Sequence, residues 1–374
     1  MDKKEDRENR VVSDRLLDRA SELLIPLSGT FELSPICNFS CKMCYVRKTP
    51  SEVDRHPRPA VTKEQWLEIA RQAKTSGMLY LLLTGGEPLL WPDFWELYQE
   101  LTRMGFLISI NTNGSLIDDK VIERFSQNMP NRVNVTLYGA SDETYRQLCG
   151  RDHVFQKVAE GIKKMQQAGI AVKVNCSLTP HNAGDLQKIV DYTRENDLLL
   201  SVNTYMFPPV RRDIKYAGDN ERFTPEEAAR YNLVYYRLQY GEEPYRNYLN
   251  SIRQGAVPPP GLDEECIDSQ DGSIRCRAGN ASFWITWDGY MTPCGMMPHP
   301  KVELRDRDFI EGWQELTEIS RQAALSGVCH NCPDQRLCHS CAAMAIAETG
   351  STEGIPKYLC QMVEAYQKYA NELI

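Results

Sequence analysis

From residue 31 to about residue 240 the chain alternates short β-rich runs with amphipathic helical runs, a pattern that folds with parallel strands and helices packed outside them. Six such units are predicted, with strands at Phe31–Ser34, Leu79–Leu83, Phe106–Ile110, Arg132–Tyr138, Ile170–Leu178 and Leu198–Tyr205. Thr62-Lys-Glu-Gln65 has the form of a capping box, after which Trp66, Ile69, Ala70 and Ala73 share one helical face and Gly77 stops the helix. A further helix is predicted over Phe155–Ala168. Six right-handed repeats give an α/β fold, a partial (β/α)6 TIM-like barrel whose chemistry belongs at the carboxyl ends of its strands. Residues 1–30 read as a charged helical lead-in, with Leu16, Leu17, Leu23 and Leu24 as docking positions. The barrel is predicted over residues 31–240 and a linker over 241–265, punctuated by Pro258-Pro-Pro-Gly261. Residues 266–374 form a small cysteine-rich domain.

The 374 residues are 42% hydrophobic, enough for one large core and a smaller one. A net charge of -8, without a long basic stretch, argues against a nucleic-acid partner. The start of the chain lacks an apolar signal core, and the run Met78–Leu83 is too short to cross a bilayer, so a cytoplasmic protein without membrane contact is expected. In that compartment thiols stay reduced, and thirteen cysteines point to metal ligation over disulfides. Three lie in residues 37–44 and eight after residue 265. Cys149 and Cys176 fall outside both groups and read as small buried residues.

Cys37, Cys41 and Cys44 have the spacing Cys-x3-Cys-x2-Cys. Three thiolates are one too few for a [4Fe-4S] cluster, so one iron is left open for a ligand. Gly85-Gly-Glu-Pro88 follows the second predicted strand, where two glycines allow a close backbone approach and Glu87 can accept from a cationic amine. On these motifs the chain resembles the radical S-adenosylmethionine (radical SAM) superfamily. The resemblance implies that S-adenosylmethionine chelates the open iron, that Gly85, Gly86, Glu87 and Pro88 bind its amino group, and that Tyr45 packs near its adenine. Reductive cleavage of the sulfonium then yields a 5'-deoxyadenosyl radical that abstracts a substrate hydrogen. Asn113, in Asn111-Thr-Asn-Gly114, is a further candidate contact, although Asn-Gly is also a common turn. Asn175 and Ser177 lie at the strand edge suited to ribose contacts. Relatives often place an arginine where this chain has Cys149, and the loop carrying Arg211-Arg212 is a candidate for substrate carboxylates or a solvated charged segment.

Cys276-x12-Gly289-x4-Cys294, then Cys329-x2-Cys332-x5-Cys338-x2-Cys341, then Cys360, resemble the SPASM extension of radical SAM proteins. The last step of the central run is one residue shorter than the family pattern. With Cys266 upstream the set provides eight ligands, enough for two auxiliary [4Fe-4S] clusters and three clusters in all. The resemblance assigns Cys276, Cys294, Cys341 and Cys266 to the cluster nearer the barrel, and Cys329, Cys332, Cys338 and Cys360 to the outer one. Paired Cys-x2-Cys steps taken alone also suit zinc ribbons.

The resemblance implies an oxidoreductase that modifies a ribosomally made peptide or protein by crosslinking, oxidation or epimerisation, reduced by a flavodoxin or ferredoxin-type donor. A radical dehydrogenase or epimerase acting on a small molecule is the alternative. Anaerobic sulfatase maturation ranks lower, because Gly295 stands where several such enzymes carry an aspartate. A non-catalytic zinc-binding module ranks below that, and no catalytic base is named by the sequence.

Overall fold

The computed structural model describes residues 3–209, 211, 221–255, 276–305, 307–338 and 340–372. Six parallel strands form the barrel wall: β1 (Ser28–Glu32), β2 (Tyr80–Thr84), β3 (Leu107–Thr112), β4 (Arg132–Thr136), β5 (Val172–Ser177) and β6 (Leu199–Asn203). The strand alternation that predicted them is visible in their burial. Leu81 and Leu83, Ile108 and Ile110, Val133 and Val135, and Val174 and Cys176 all lie in the core beneath the outer helices. The intervening positions, including Asn111, Asn134 and Asn175, line the concave face. The capping box forms as expected, with Gln65 N donating to Thr62 Oγ1 at 3.3 Å and Thr62 N to Gln65 Oε1 at 2.9 Å. Trp66, Ala70 and Ala73 are buried on the helix Lys63–Thr75, and the ring of Trp66 stacks on Phe31 at 4.7 Å between centroids.

The sheet does not end at β1. Strand β7 (Ser282–Ile285) pairs with β1 in parallel, and β8 (Tyr290–Thr292) and β9 (Val302–Glu303) follow antiparallel, giving the order β6-β5-β4-β3-β2-β1-β7-β8-β9. This explains why β1 begins earlier than its apolar pattern indicates. Ser28-Gly29-Thr30 carries no strong β signal, but it is held between β2 and β7. A Cβ on Gly29 would sit 2.5 Å from the ring of Phe283 on β7, so the glycine leaves room for that ring.

The lead-in is a helix, Lys3–Leu23. Only part of its expected docking face is used: Leu17 packs with Ala20, Leu27 and Ala281, whereas Leu16 and Leu23 are exposed. Arg277 adds ion pairs to Asp14 and Asp18 at 3.5 and 2.8 Å. The segment after the barrel holds a helix at Glu242–Arg253, which packs with the helices Pro225–Tyr240 and Lys357–Glu372. Among the described residues no helix is long and apolar enough to cross a membrane.

Candidate functional site

The loop leaving β1 carries Cys37, Cys41 and Cys44, and each end of it is pinned by backbone. Gly86 N donates to Ser34 O at 2.7 Å, Glu87 N to Ile36 O at 3.0 Å, and Lys48 N to Pro35 O at 3.0 Å. The two glycines of Gly85–Pro88 therefore serve a close approach, but the partner is the chain's own backbone. A Cβ on Gly85 would lie 2.4 Å from Ser34 O, and one on Gly86 2.4 Å from Ile36 O. Gly85 also has φ +148°, a conformation costly for other residues.

Glu87 is completely buried. Its carboxylate accepts from Thr112 Oγ1 at 2.9 and 3.0 Å, from Asn113 N at 2.8 Å and from Leu89 N at 3.2 Å. Burial pushes its pKa up to about 7, against the opposing pull of those three donors. The side chain thus ties the exit of β2 to the exit of β3, and its partners here are neutral groups of the protein. Asn113, anchored in this way, turns its amide towards the cysteine loop. Its Nδ2 donates to Asn38 Oδ1 at 2.9 Å and reaches Cys37 Sγ at 3.7 Å.

Two backbone amides also point at the sulfurs, Phe39 N to Cys37 Sγ and Arg47 N to Cys44 Sγ, both at 3.3 Å. Burial pushes the Cys37 thiol up to about 12 and Cys41 well above its usual range, where the Cys149 side chain acts first and burial second. N–H donors on the half-buried Cys37 and Cys44 sulfurs, beside a buried Cys41, suit thiolates whose charge a metal cluster offsets.

Tyr45 follows the third cysteine and faces the Arg211 guanidinium, 5.7 Å from its ring centroid. Arg211 is not open to a substrate carboxylate. It forms a two-pronged pair with the fully buried Glu32 at 2.6 and 2.7 Å and donates to Gly295 O at 3.1 Å. Trp284 Nε1 gives Glu32 a further hydrogen bond at 3.0 Å. Its neighbour Arg212 lies outside the described residues. Asn175 and Ser177 are half-buried on β5, in register with Ser201 and Asn203 of β6. On the same concave face Asn134 Nδ2 donates to Asn111 Oδ1 at 2.8 Å, and the buried Asn134 Oδ1 has no partner among the described residues.

The later cysteines gather in two sets. Cys276, Cys294 and Cys341 pack around Ala278, Met297, Ala342, Ala343 and Ile346. Burial pushes Cys294 up to about 11, and the neighbouring Cys276 sulfur acts in the same direction. Cys360, on the helix Lys357–Glu372, has Cys338, Cys329 and Cys332 as electrostatic neighbours. Cys266 lies outside the described residues. No three described His, Cys, Asp or Glu side chains stand at the spacing of a single metal ion. Cys149 and Cys176 are buried, as read from the sequence, but Cys149 also lies against the cysteine loop.

Residues 31–193 match the radical SAM superfamily. This stretch is a radical SAM domain. The chain is similar over most of its length to the AdoMet-dependent heme synthase of Methanosarcina barkeri, 24% identical over 331 residues that cover 86% of this chain and 92% of that protein. It is 25% identical over 276 residues to the sporulation killing factor maturation protein SkfB of Bacillus subtilis, covering 74% of this chain but only 62% of SkfB. Streptococcus suis SuiB, solved bound to its precursor peptide SuiA, shares the fold with a TM-score of 0.64 at 20% identity, over 95% of this chain and 80% of SuiB. The radical SAM enzyme described here therefore uses S-adenosylmethionine and an iron–sulfur cluster. Its Glu32–Arg211 pair, the Cys149 contact and the Asn111–Asn134 pair escaped sequence reasoning, because each joins residues far apart in the chain.

Proposed function

We propose that this radical SAM enzyme is an oxidoreductase that modifies a ribosomally made peptide or protein by crosslinking, oxidation or epimerisation. The observation that carries its chemistry is the three-sulfur loop held shut by Gly85–Pro88, with N–H donors aimed at its sulfurs. Cys37, Cys41 and Cys44 would hold a [4Fe-4S] cluster with one open iron. With S-adenosylmethionine bound, that centre supplies a 5'-deoxyadenosyl radical. The protein's own part is to bind, orient and exclude water: Glu87 and Asn113 fix the loop, Tyr45, Asn175 and Ser177 are candidate cofactor contacts, and the concave face offers neutral amides to the substrate.

The two later cysteine sets support two auxiliary clusters in a domain of residues 266–374, with Cys266 completing the inner one. Electrons would enter from a flavodoxin or ferredoxin-type donor. The peptide reading draws on the likeness to SkfB and SuiB. A small-molecule substrate is the second reading, favoured by the likeness to the heme synthase over nearly its whole length. Sulfatase maturation stays lower, since a Cβ on Gly295 would lie 2.8 Å from the Trp284 ring and leaves no place for an aspartate. The test is anaerobic incubation of reduced enzyme and S-adenosylmethionine with the short peptides encoded beside its gene, read by mass spectrometry. A mass change in a peptide supports the first reading. 5'-Deoxyadenosine formation that rises only with tetrapyrrole or other metabolite substrates supports the second.

A further inference from the structure

Asn113 stands where β3 ends and is buried, as is Ser115 beyond it. Its side chain belongs to a closed ring of hydrogen bonds. Asn113 Nδ2 donates to Asn38 Oδ1 at 2.9 Å, Asn38 Nδ2 to Ser115 Oγ at 2.9 Å, and Ser115 Oγ to Asn113 Oδ1 at 2.6 Å. Ser115 N, which can only donate, also points at Asn113 Oδ1 at 3.0 Å. That contact fixes which end of the amide is oxygen, so the NH2 group must face the cysteine loop. One amide proton goes to Asn38, and the other faces Cys37 Sγ, 3.7 Å away. Phe39 N donates to the same sulfur at 3.3 Å. The free thiol of Cys37 can offer its own proton to Asn38 Oδ1 at 3.8 Å, but a sulfur bound to iron has none to give and only accepts. The oxygen and both amide protons of Asn113 are therefore engaged inside the protein, and its backbone N–H goes to Glu87 at 2.8 Å. Its side chain is spent on the cysteine loop, not on the S-adenosylmethionine contact that the sequence suggested.

We propose that Asn113 is a positioning residue of the radical-generating centre: locked in this ring, it donates to the Cys37 sulfur and raises the reduction potential of the cluster that this sulfur helps to hold. The proposal rests on the reading that Cys37, Cys41 and Cys44 hold that cluster. One-electron reduction adds negative charge that the ligating sulfurs share, and an N–H aimed at one of them stabilises the reduced form more than the oxidised one. A donor free to rotate would divide its time between the sulfur and water. The ring holds this one in place, and burial strengthens its pull on the sulfur. Asn38, next to Cys37, and Asn113, at the exit of β3, thus tie the first cysteine of the triad to the barrel wall through the same amide that tunes it.

The test is an EPR-monitored redox titration of the anaerobically reconstituted full chain, following the reduced-cluster signal that changes when S-adenosylmethionine is added. N113A removes the donor, and N113L removes it without opening space for water. S115A opens the ring but leaves Ser115 N to hold the amide, and C176A alters a buried side chain on β5 outside the ring. At the parent midpoint the ratio of reduced to oxidised cluster should fall about fivefold in N113A and N113L, the scale of one net hydrogen bond. A smaller fall is expected in S115A and none in C176A, at unchanged iron content and with unchanged affinity of the oxidised enzyme for S-adenosylmethionine. Parent-like midpoints in N113A and N113L would overturn the proposal while leaving the cluster assignment standing. Weaker binding of S-adenosylmethionine at a parent-like midpoint would also overturn it, and would make Asn113 a cofactor contact. If N113A does not load iron, N113L decides. Absence in the parent protein of any iron–sulfur signal that responds to S-adenosylmethionine would instead overturn the assignment of the triad, and the proposal with it.

Discussion

Arg211 grips Glu32 through both terminal guanidinium nitrogens, at 2.6 and 2.7 Å, and the carboxylate it grips is completely buried at the end of β1. The same guanidinium lies over Tyr45 and donates to the carbonyl of Gly295. A single cation therefore joins the residue after Cys44 to the residue after Cys294, so the triad loop and the Cys294 loop share one support.

Removing one partner of such a pair leaves the other charge buried and uncompensated, which costs about 3–5 kcal/mol. E32Q and R211M should each lower the denaturation midpoint sharply. The double variant E32Q/R211M should lose less than the sum of the singles, because neither charge is then stranded. Anaerobic urea titration of the four proteins measures this. Full additivity would show that the pair carries no coupling.

The triad and the later cysteines separate by their products. C37A, C41A and C44A should abolish 5'-deoxyadenosine formation under strong reductant. C329A and C332A should leave uncoupled cleavage of S-adenosylmethionine but impair substrate modification, provided the variants fold. Chromatographic assay of 5'-deoxyadenosine beside mass spectrometry of the substrate distinguishes the two classes, and cleavage that persists without the triad would refute its assignment.

Gly86 has no room for a methyl group, because the atoms in its way are the backbone carbonyl of Ile36 at 2.4 Å and that of Pro35 at 2.9 Å. Backbone cannot swing aside as a side chain can. G86A should push the cysteine loop away from β2 and reduce iron loading of the triad severalfold, in a protein whose far-ultraviolet circular dichroism is nearly that of the parent. Normal iron content in G86A would show that the loop is not held by this contact.

Glu87 links stability to pH. Its folded pKa, about 7, lies above the unfolded value of 4.5, so the folded state binds the proton more tightly. The stabilisation from protonated Glu87 is fully present below pH 4.5 and is lost as pH rises through about 7. A shift of this size corresponds to about 3 kcal/mol at most. Gln at this position cannot ionise, so the stability of E87Q relative to the parent should improve between pH 5.5 and pH 8, as measured by urea denaturation at each pH. A parent-to-variant difference that stays constant over that range would place the carboxyl in the same protonation state throughout.

The sequence by itself determined the repeating architecture and the chemistry. Alternation of apolar residues marks strands such as Leu81–Leu83 and Val133–Val135, because the same local periodicity decides which face is buried. The spacing of Cys37, Cys41 and Cys44 and the run Gly85–Pro88 are likewise local, so they can be read before any folding is known. Tertiary structure alone decided which distant residues meet. It joined β7 to β1 across some 250 residues of chain and gave Glu32 to Arg211. It turned Gly85 and Gly86 against the chain's own backbone, and strapped the cysteine loop to the end of the helix Asp142–Cys149. A buried charge, a close backbone crossing and a loop strapped to a helix end each depend on two segments arriving at one point, and no periodicity within either segment encodes the other.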